Sequence, residues 1–121
     1  MQCISSKSGE VGPVVYCHWS GRRAPYIVRR LAARMKGREG DLSYSSARLV
    51  QEAIGMNTNG NISFGVWNSA TKLVPNDSHG DAGCVVIDVD NGHKCECFGG
   101  YLSVAKDGFP TVDADEDEDA A

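Results

Sequence analysis

The chain has 121 residues, 41% hydrophobic and 23% charged, which suits one folded domain with a modest core and excludes a low-complexity or wholly disordered protein. No apolar run approaches the roughly 18 residues of a membrane span. The opening Met1-Gln2-Cys3-Ile4-Ser5-Ser6-Lys7 lacks the apolar stretch of a secretory signal. The expectation is a cytoplasmic protein whose five cysteines (Cys3, Cys17, Cys84, Cys95, Cys97) stay reduced. Their odd number also argues against a closed disulfide framework.

The net charge of −4 hides a segregation. Seven of the twelve basic residues lie between 22 and 38: Arg22, Arg23, Arg29, Arg30, Arg34, Lys36 and Arg38. Six acids lie between 113 and 119: Asp113, Asp115, Glu116, Asp117, Glu118 and Asp119. Taking those six charges away from −4 leaves a body of about +2. A basic face on the body and a solvated acidic tail follow.

In chain order, residues 2–6 suit a first strand and residues 7–12, with two glycines, a turn. Pro13 to Trp19 alternates as a second strand, so the pair predicts a hairpin. Ala24 to Lys36 predicts a helix. Ile27, Val28, Leu31, Ala32 and Met35 share one arc, the basic residues fall elsewhere, and Gly37 ends it. A second helix is predicted from about Ser43 to Ile54, capped by Asp41 or Ser43. Its apolar side is Leu42, Leu49, Val50, Ala53 and Ile54, and its wet side Arg48, Gln51 and Glu52.

Residues 57–61 form a loop before an alternating strand, Ile62 to Trp67. A short strand at Lys72 to Val74 interrupts the next loop. Cys84 to Asp90 and His93 to Phe98 flank Asn91-Gly92, the preferred two-residue hairpin turn. Gly99-Gly100 breaks that strand, and Tyr101 to Ala105 continues it. The expected fold is α+β: an antiparallel sheet of about five strands with two helices packed on one face. The domain is expected to span residues 1–108, with a disordered acidic tail over 109–121.

The strand-to-helix junction carries the main functional signal. The strand ends in Cys17, His18 and Trp19, Ser20-Gly21 turns the chain, and Arg22 and Arg23 open a helix with Pro25 in its first turn. Helix N–H groups, two guanidinium groups, an aromatic ring and an imidazole together suit an anionic ligand. The candidate ligand-binding residues are His18, Trp19, Ser20, Arg22, Arg23, Arg29 and Arg30. Cys17 and His18 do not make a catalytic pair, because strand neighbours point to opposite faces. No catalytic residue is assigned.

His93, Cys95 and Cys97 share one strand face, with Asp90 expected opposite His93 and Asp88 opposite Cys95. Zinc accepts these residue types. Ligands two residues apart on a strand lie about 7 Å apart, so a compact site needs help from elsewhere, such as Cys84. The plainer reading is a face of small buried thiols with His93 exposed at the turn. No metal or cofactor is assigned.

Tyr16-Cys17-His18-Trp19-Ser20-Gly21 resembles a motif, Tyr-Cys-His-Trp-(Ser/Asp)-Gly, of small phage and prophage proteins, which carry it at the same kind of junction. The resemblance covers roughly residues 10–100 and includes the strand Ile62-Ser63-Phe64-Gly65-Val66. It implies, through genomic context, an anti-defence role inside the host cell. The expectation is a stoichiometric binder of a host defence protein or of an anionic nucleotide; separately, the sheet face that two helices leave bare, or an open sheet edge, predicts a homodimer. Two other classes stay open: a small enzyme with His18 as acid or base, and a regulatory protein whose basic face binds nucleic acid.

Overall fold

The computed structural model describes residues 1–17, 21–55, 64–78 and 81–112. It is an α+β domain. Strands β1 (Gln2–Ile4), β2 (Val11–Cys17), β3 (Phe64–Trp67), β4 (Cys84–Asp88) and β5 (Lys94–Phe98) form one sheet in the order β3-β2-β1-β4-β5. Helices α1 (Ala24–Arg34) and α2 (Leu42–Gly55) cover one face. A small second sheet pairs β6 (Ser103–Val104) with β7 (Pro110–Thr111). No helix among the described residues is long and apolar enough to cross a membrane.

The sheet is mixed, which corrects the expectation of an antiparallel one. The predicted β1–β2 hairpin forms, with Gln2 opposite Val14. The other edge of β1 pairs in parallel with β4, Gln2 opposite Val86 and Ile4 opposite Asp88. Two hairpin-like ladders, β2–β3 and β4–β5, are thereby joined through a three-residue central strand.

Alternation then separates two apolar layers. Cys3, Val15, Val85, Ile87 and Val89 meet Ile27, Val28, Leu31 and Met35 of the α1 region and Leu49 and Ala53 of α2. Fully burying one such Leu, Ile or Val contributes about 1.5–3 kcal/mol. On the opposite face Val14, Cys84 and Val86 meet Leu73, so the sheet face expected to be bare is partly covered.

The segment carrying Leu73 is not the strand expected at Lys72 to Val74. The buried Gln2 side chain takes the bonds that a strand would make. Its Nε2 donates to Gly12 O at 3.0 Å and to Thr71 O at 3.1 Å, and its Oε1 accepts from the Leu73 N–H at 2.9 Å. A side-chain amide carries both donor and acceptor, so it substitutes for backbone here.

Both helices form near their predicted bounds. Asp41 caps α2: its Oδ1 accepts from the Tyr44 N–H at 3.0 Å. Gly37, at φ +89°, closes the turn after α1. Two α2 side chains contradict the predicted wet and apolar sides. Ile54 is half exposed, whereas Glu52 is only 4% exposed. Burial of Glu52 is offset by two ion pairs across the helix interface: Arg30 Nε donates to its Oε2 at 2.8 Å, and Arg34 Nε to its Oε1. Burial alone would raise the Glu52 carboxyl; the hydrogen bonds from Arg30 and Arg34 outweigh it and hold the group below the ordinary range.

The β4–β5 hairpin is longer than the sequence suggests. Asp88 pairs with Lys94 and Ile87 with Cys95, so residues 89–93 form the loop. His93 sits in a left-handed conformation at φ +61° and absorbs one extra residue. The fold also runs past residue 108, the expected domain end. Pro110 is buried, and Phe109 and Val112 pack against the main core. The acidic tail beyond Val112 lies outside the described residues, as do His18, Trp19 and Ser20.

Gly12 fixes how closely β2 approaches α2. A Cβ built there would lie 2.4 Å from Ser46 Oγ and 3.1 Å from Cys3 O. Ser46 Oγ is itself buried without a hydrogen-bond partner among the described residues. Gly12→Ala is expected to destabilise the domain by about 1–3 kcal/mol through overpacking. Adding Ser46→Gly should recover part of that loss, read as the urea midpoint of the double variant against the single one.

Candidate functional site

The chain enters α1 through a single 3-10 turn, Gly21–Arg23. Arg23 takes the N-cap position and makes no side-chain capping bond, and the first turn holds Pro25 and no acid. The positive end of the helix is therefore not neutralised by its own first turn. Beside it lies a shallow cleft of about 360 Å³, lined by Arg22, Pro25, Tyr26, Arg29, Thr111 and Val112. Tyr26 is 66% exposed, a large aromatic ring held open to solvent between two arginines in sequence.

The far wall of the cleft comes from the chain after β5. Arg22 stands over the Tyr101 ring at 5.9 Å, and Arg29 over the Phe109 ring at 5.5 Å. Arg29 also donates to Pro110 O at 3.1 Å and pairs with Asp107 at 3.0 Å. The Phe109 N–H and the Arg29 guanidinium hold the Asp107 carboxyl below its ordinary range. Arg29 thus straps residues 107–110 onto α1 and still lines the cleft.

The predicted site residues part company. Arg22 and Arg29 line one cleft, and Arg23 caps the helix next to it. Arg30 is committed to Glu52 on the α2 side. His18, Trp19 and Ser20 lie outside the described residues. Tyr26, Thr111 and Val112 were missed by the sequence reading. An aromatic on the polar side of a basic helix was the one available signal for Tyr26. Thr111 and Val112 reach the cleft only through the packing of β7, which nothing local announces.

A second cluster looks chemical and is structural. His93 is 1% exposed, not exposed at its turn as the sequence reading had it. Its Nε2 shares a 2.9 Å hydrogen bond with Ser45 Oγ on α2, and its backbone N–H donates to Asp88 O at 3.0 Å. Cys95 and Cys97 pack on the helix side, whereas Cys84 lies in the opposite layer, so the four do not converge. No group of three or more metal-ligating residues is assembled among the described residues.

Four of the five thiols are held away from the thiolate form. Burial pushes the Cys3 thiol up to about 12 and the Cys97 thiol up to about 11. Cys95 and Cys84 are also raised, chiefly by burial. A nucleophilic cysteine needs the opposite shift, toward thiolate. All five cysteines are free thiols. No protein-family model, curated protein or solved structure matches the chain.

Burial lowers the His93 pKa from 6.5, against the opposing pull of Glu39 and Asp88. The folded state therefore keeps this imidazole neutral, while the unfolded chain takes up a proton below about 6.5. The His93 contribution to stability is complete above that pH and is lost as pH falls toward the depressed folded value. Comparing urea midpoints of the parent and His93→Gln from pH 7.5 to about 5 should show the gap between them narrowing on acidification. A constant gap would contradict the assignment.

Proposed function

We propose that this is a non-enzymatic binding protein of phage accessory type, which disables a host defence component by stoichiometric contact or by sequestering an anionic nucleotide. One observation carries the reading: Arg22, Tyr26 and Arg29 line a single cleft beside a helix start that contains no acid in its first turn. Guanidinium groups bind carboxylate or phosphate through paired, charge-assisted hydrogen bonds. The exposed Tyr26 ring adds a face for a base or another side chain. The raised thiols and the hydrogen-bonded, buried His93 support binding over catalysis, because each is a packed group withdrawn from solvent.

The resemblance of the 16–21 motif to small phage proteins supplies the biological setting, and with it action in the host cytoplasm. Arg22→Ala/Arg23→Ala should weaken binding to nucleoside phosphates, or to a partner captured from host extract, by tenfold or more. The variant should remain folded, read as a cooperative urea transition. Full affinity in the folded double variant would remove the cleft as the site.

A homodimer is part of this proposal. β3 is one of the two edge strands of the sheet, with Val66 45% and Trp67 47% exposed. An edge strand of this kind pairs readily with a copy of itself. Sedimentation should show twice the 13.0 kDa chain mass. Trp67→Lys should shift the protein to monomer, and a concentration-independent monomer in the parent would contradict the dimer.

A further inference from the structure

The cleft and the acidic segment belong to the same stretch of chain. Val112 lines the cleft, and Asp113 is the next residue. The segment 113–119 carries six acids and no base, whereas Arg22, Arg23 and Arg29 cluster at and near the start of α1. Its exit is fixed in place. Arg29 grips Pro110 O and Asp107, Pro110–Thr111 is paired with Ser103–Val104, and Val112 packs on the core. Resting on the reading of the cleft as an anion site, we propose that residues 113–119 dock in cis across the α1 start as an internal competitor for that site.

Reach and affinity both allow it. Each residue spans at most about 3.6 Å, so seven residues starting after Val112 can cover about 25 Å, enough to pass the arginines that line the same cleft. Tethering also converts a weak contact into an occupied one, because a short linker gives an effective concentration in the millimolar range. Among ligand classes, the cleft fits an extended acidic peptide better than an enclosed small molecule. It is shallow, and its two arginines, Arg22 and Arg29, share the lining with Pro25, Tyr26, Thr111 and Val112. An external partner would then displace the segment, and must carry comparable acidity to do so. Competition between like polyanions makes binding selective for strongly acidic surfaces.

The test uses the full chain and a variant of equal length with the six acids neutralised (D113N, D115N, E116Q, D117N, E118Q, D119N). The first readout is the amide spectrum. Neutralisation should shift the signals of Arg22 to Tyr26 and of Thr111 and Val112, and leave β4 and β5 unmoved. Raising salt to about 1 M, where the screening length is about 3 Å, should move the parent signals in the same direction. Unshifted signals at the α1 start in both comparisons would overturn the proposal.

The second readout is a synthetic peptide of residues 113–119 added in trans. It should shift the same signals in the neutralised variant and bind the parent at least tenfold more weakly. Equal affinity for both chains would overturn the cis competition while leaving the cleft an anion site. Spectral shifts on neutralisation, combined with a cleft that binds neither nucleoside phosphates nor a host partner, would sustain the cis contact and defeat the external-ligand reading instead.

Discussion

Three residues, Gln2–Ile4, hold the two halves of this domain together. Among the described residues β1 is the only strand paired with both β2 and β4, antiparallel on one edge and parallel on the other. Without it the β2–β3 and β4–β5 ladders would be separate two-stranded pieces, which are marginal in water. The same segment serves both faces of the sheet. Cys3 enters the helix-side core with no exposed surface, and Gln2 binds the 71–73 segment on the other side through both ends of its amide. A buried amide is costly when unsatisfied and specific when satisfied. Here all of its bonds go to backbone groups that have no ladder partner, and the second layer closes over them.

The basic helix divides its charges between structure and surface. Arg30 and Arg34 converge on Glu52, which lets a carboxylate lie between α1 and α2. Arg29 straps down residues 107–110 from the neighbouring side. Arg22 stacks over Tyr101. A run of like charge in sequence thus becomes three separate devices around one helix. Only the N-terminal portion, with Tyr26, faces the cleft. The cleft exists because the chain returns after β5 and lays β7 beside α1, so both ends of the sequence are needed to build it.

How much of this was legible in the sequence follows the range of each interaction. Hydrophobic spacing marked both helices to within a few residues, the cap of the second was narrowed to Asp41 or Ser43, and Gly37 and Gly99-Gly100 marked ends, since these depend on neighbours three or four positions away. The Asn91-Gly92 turn was seen and its register misjudged. The left-handed His93 lengthened the loop, set Asp88 opposite Lys94 and buried an imidazole read as exposed. Glu52 was misplaced because a charged residue on a helix reads as solvated until its partners are known. The apparent strand at Lys72 to Val74 failed for a similar reason, as Gln2 took its hydrogen bonds from 69 positions away.

The sequence by itself determined the class of fold, the helices and most strands, and the separation of a basic helix from an acidic segment. Periodicity and charge are local properties, and they survive any arrangement of the elements in space. Tertiary structure alone decided the parallel β1–β4 pairing, the placement of Cys84 and Cys95 in opposite layers, and the meeting of Arg22, Tyr26 and Arg29 with Thr111 and Val112. Those are contacts between residues up to about ninety positions apart. They are selected by the burial of two apolar layers and by the few polar groups that must find partners inside them.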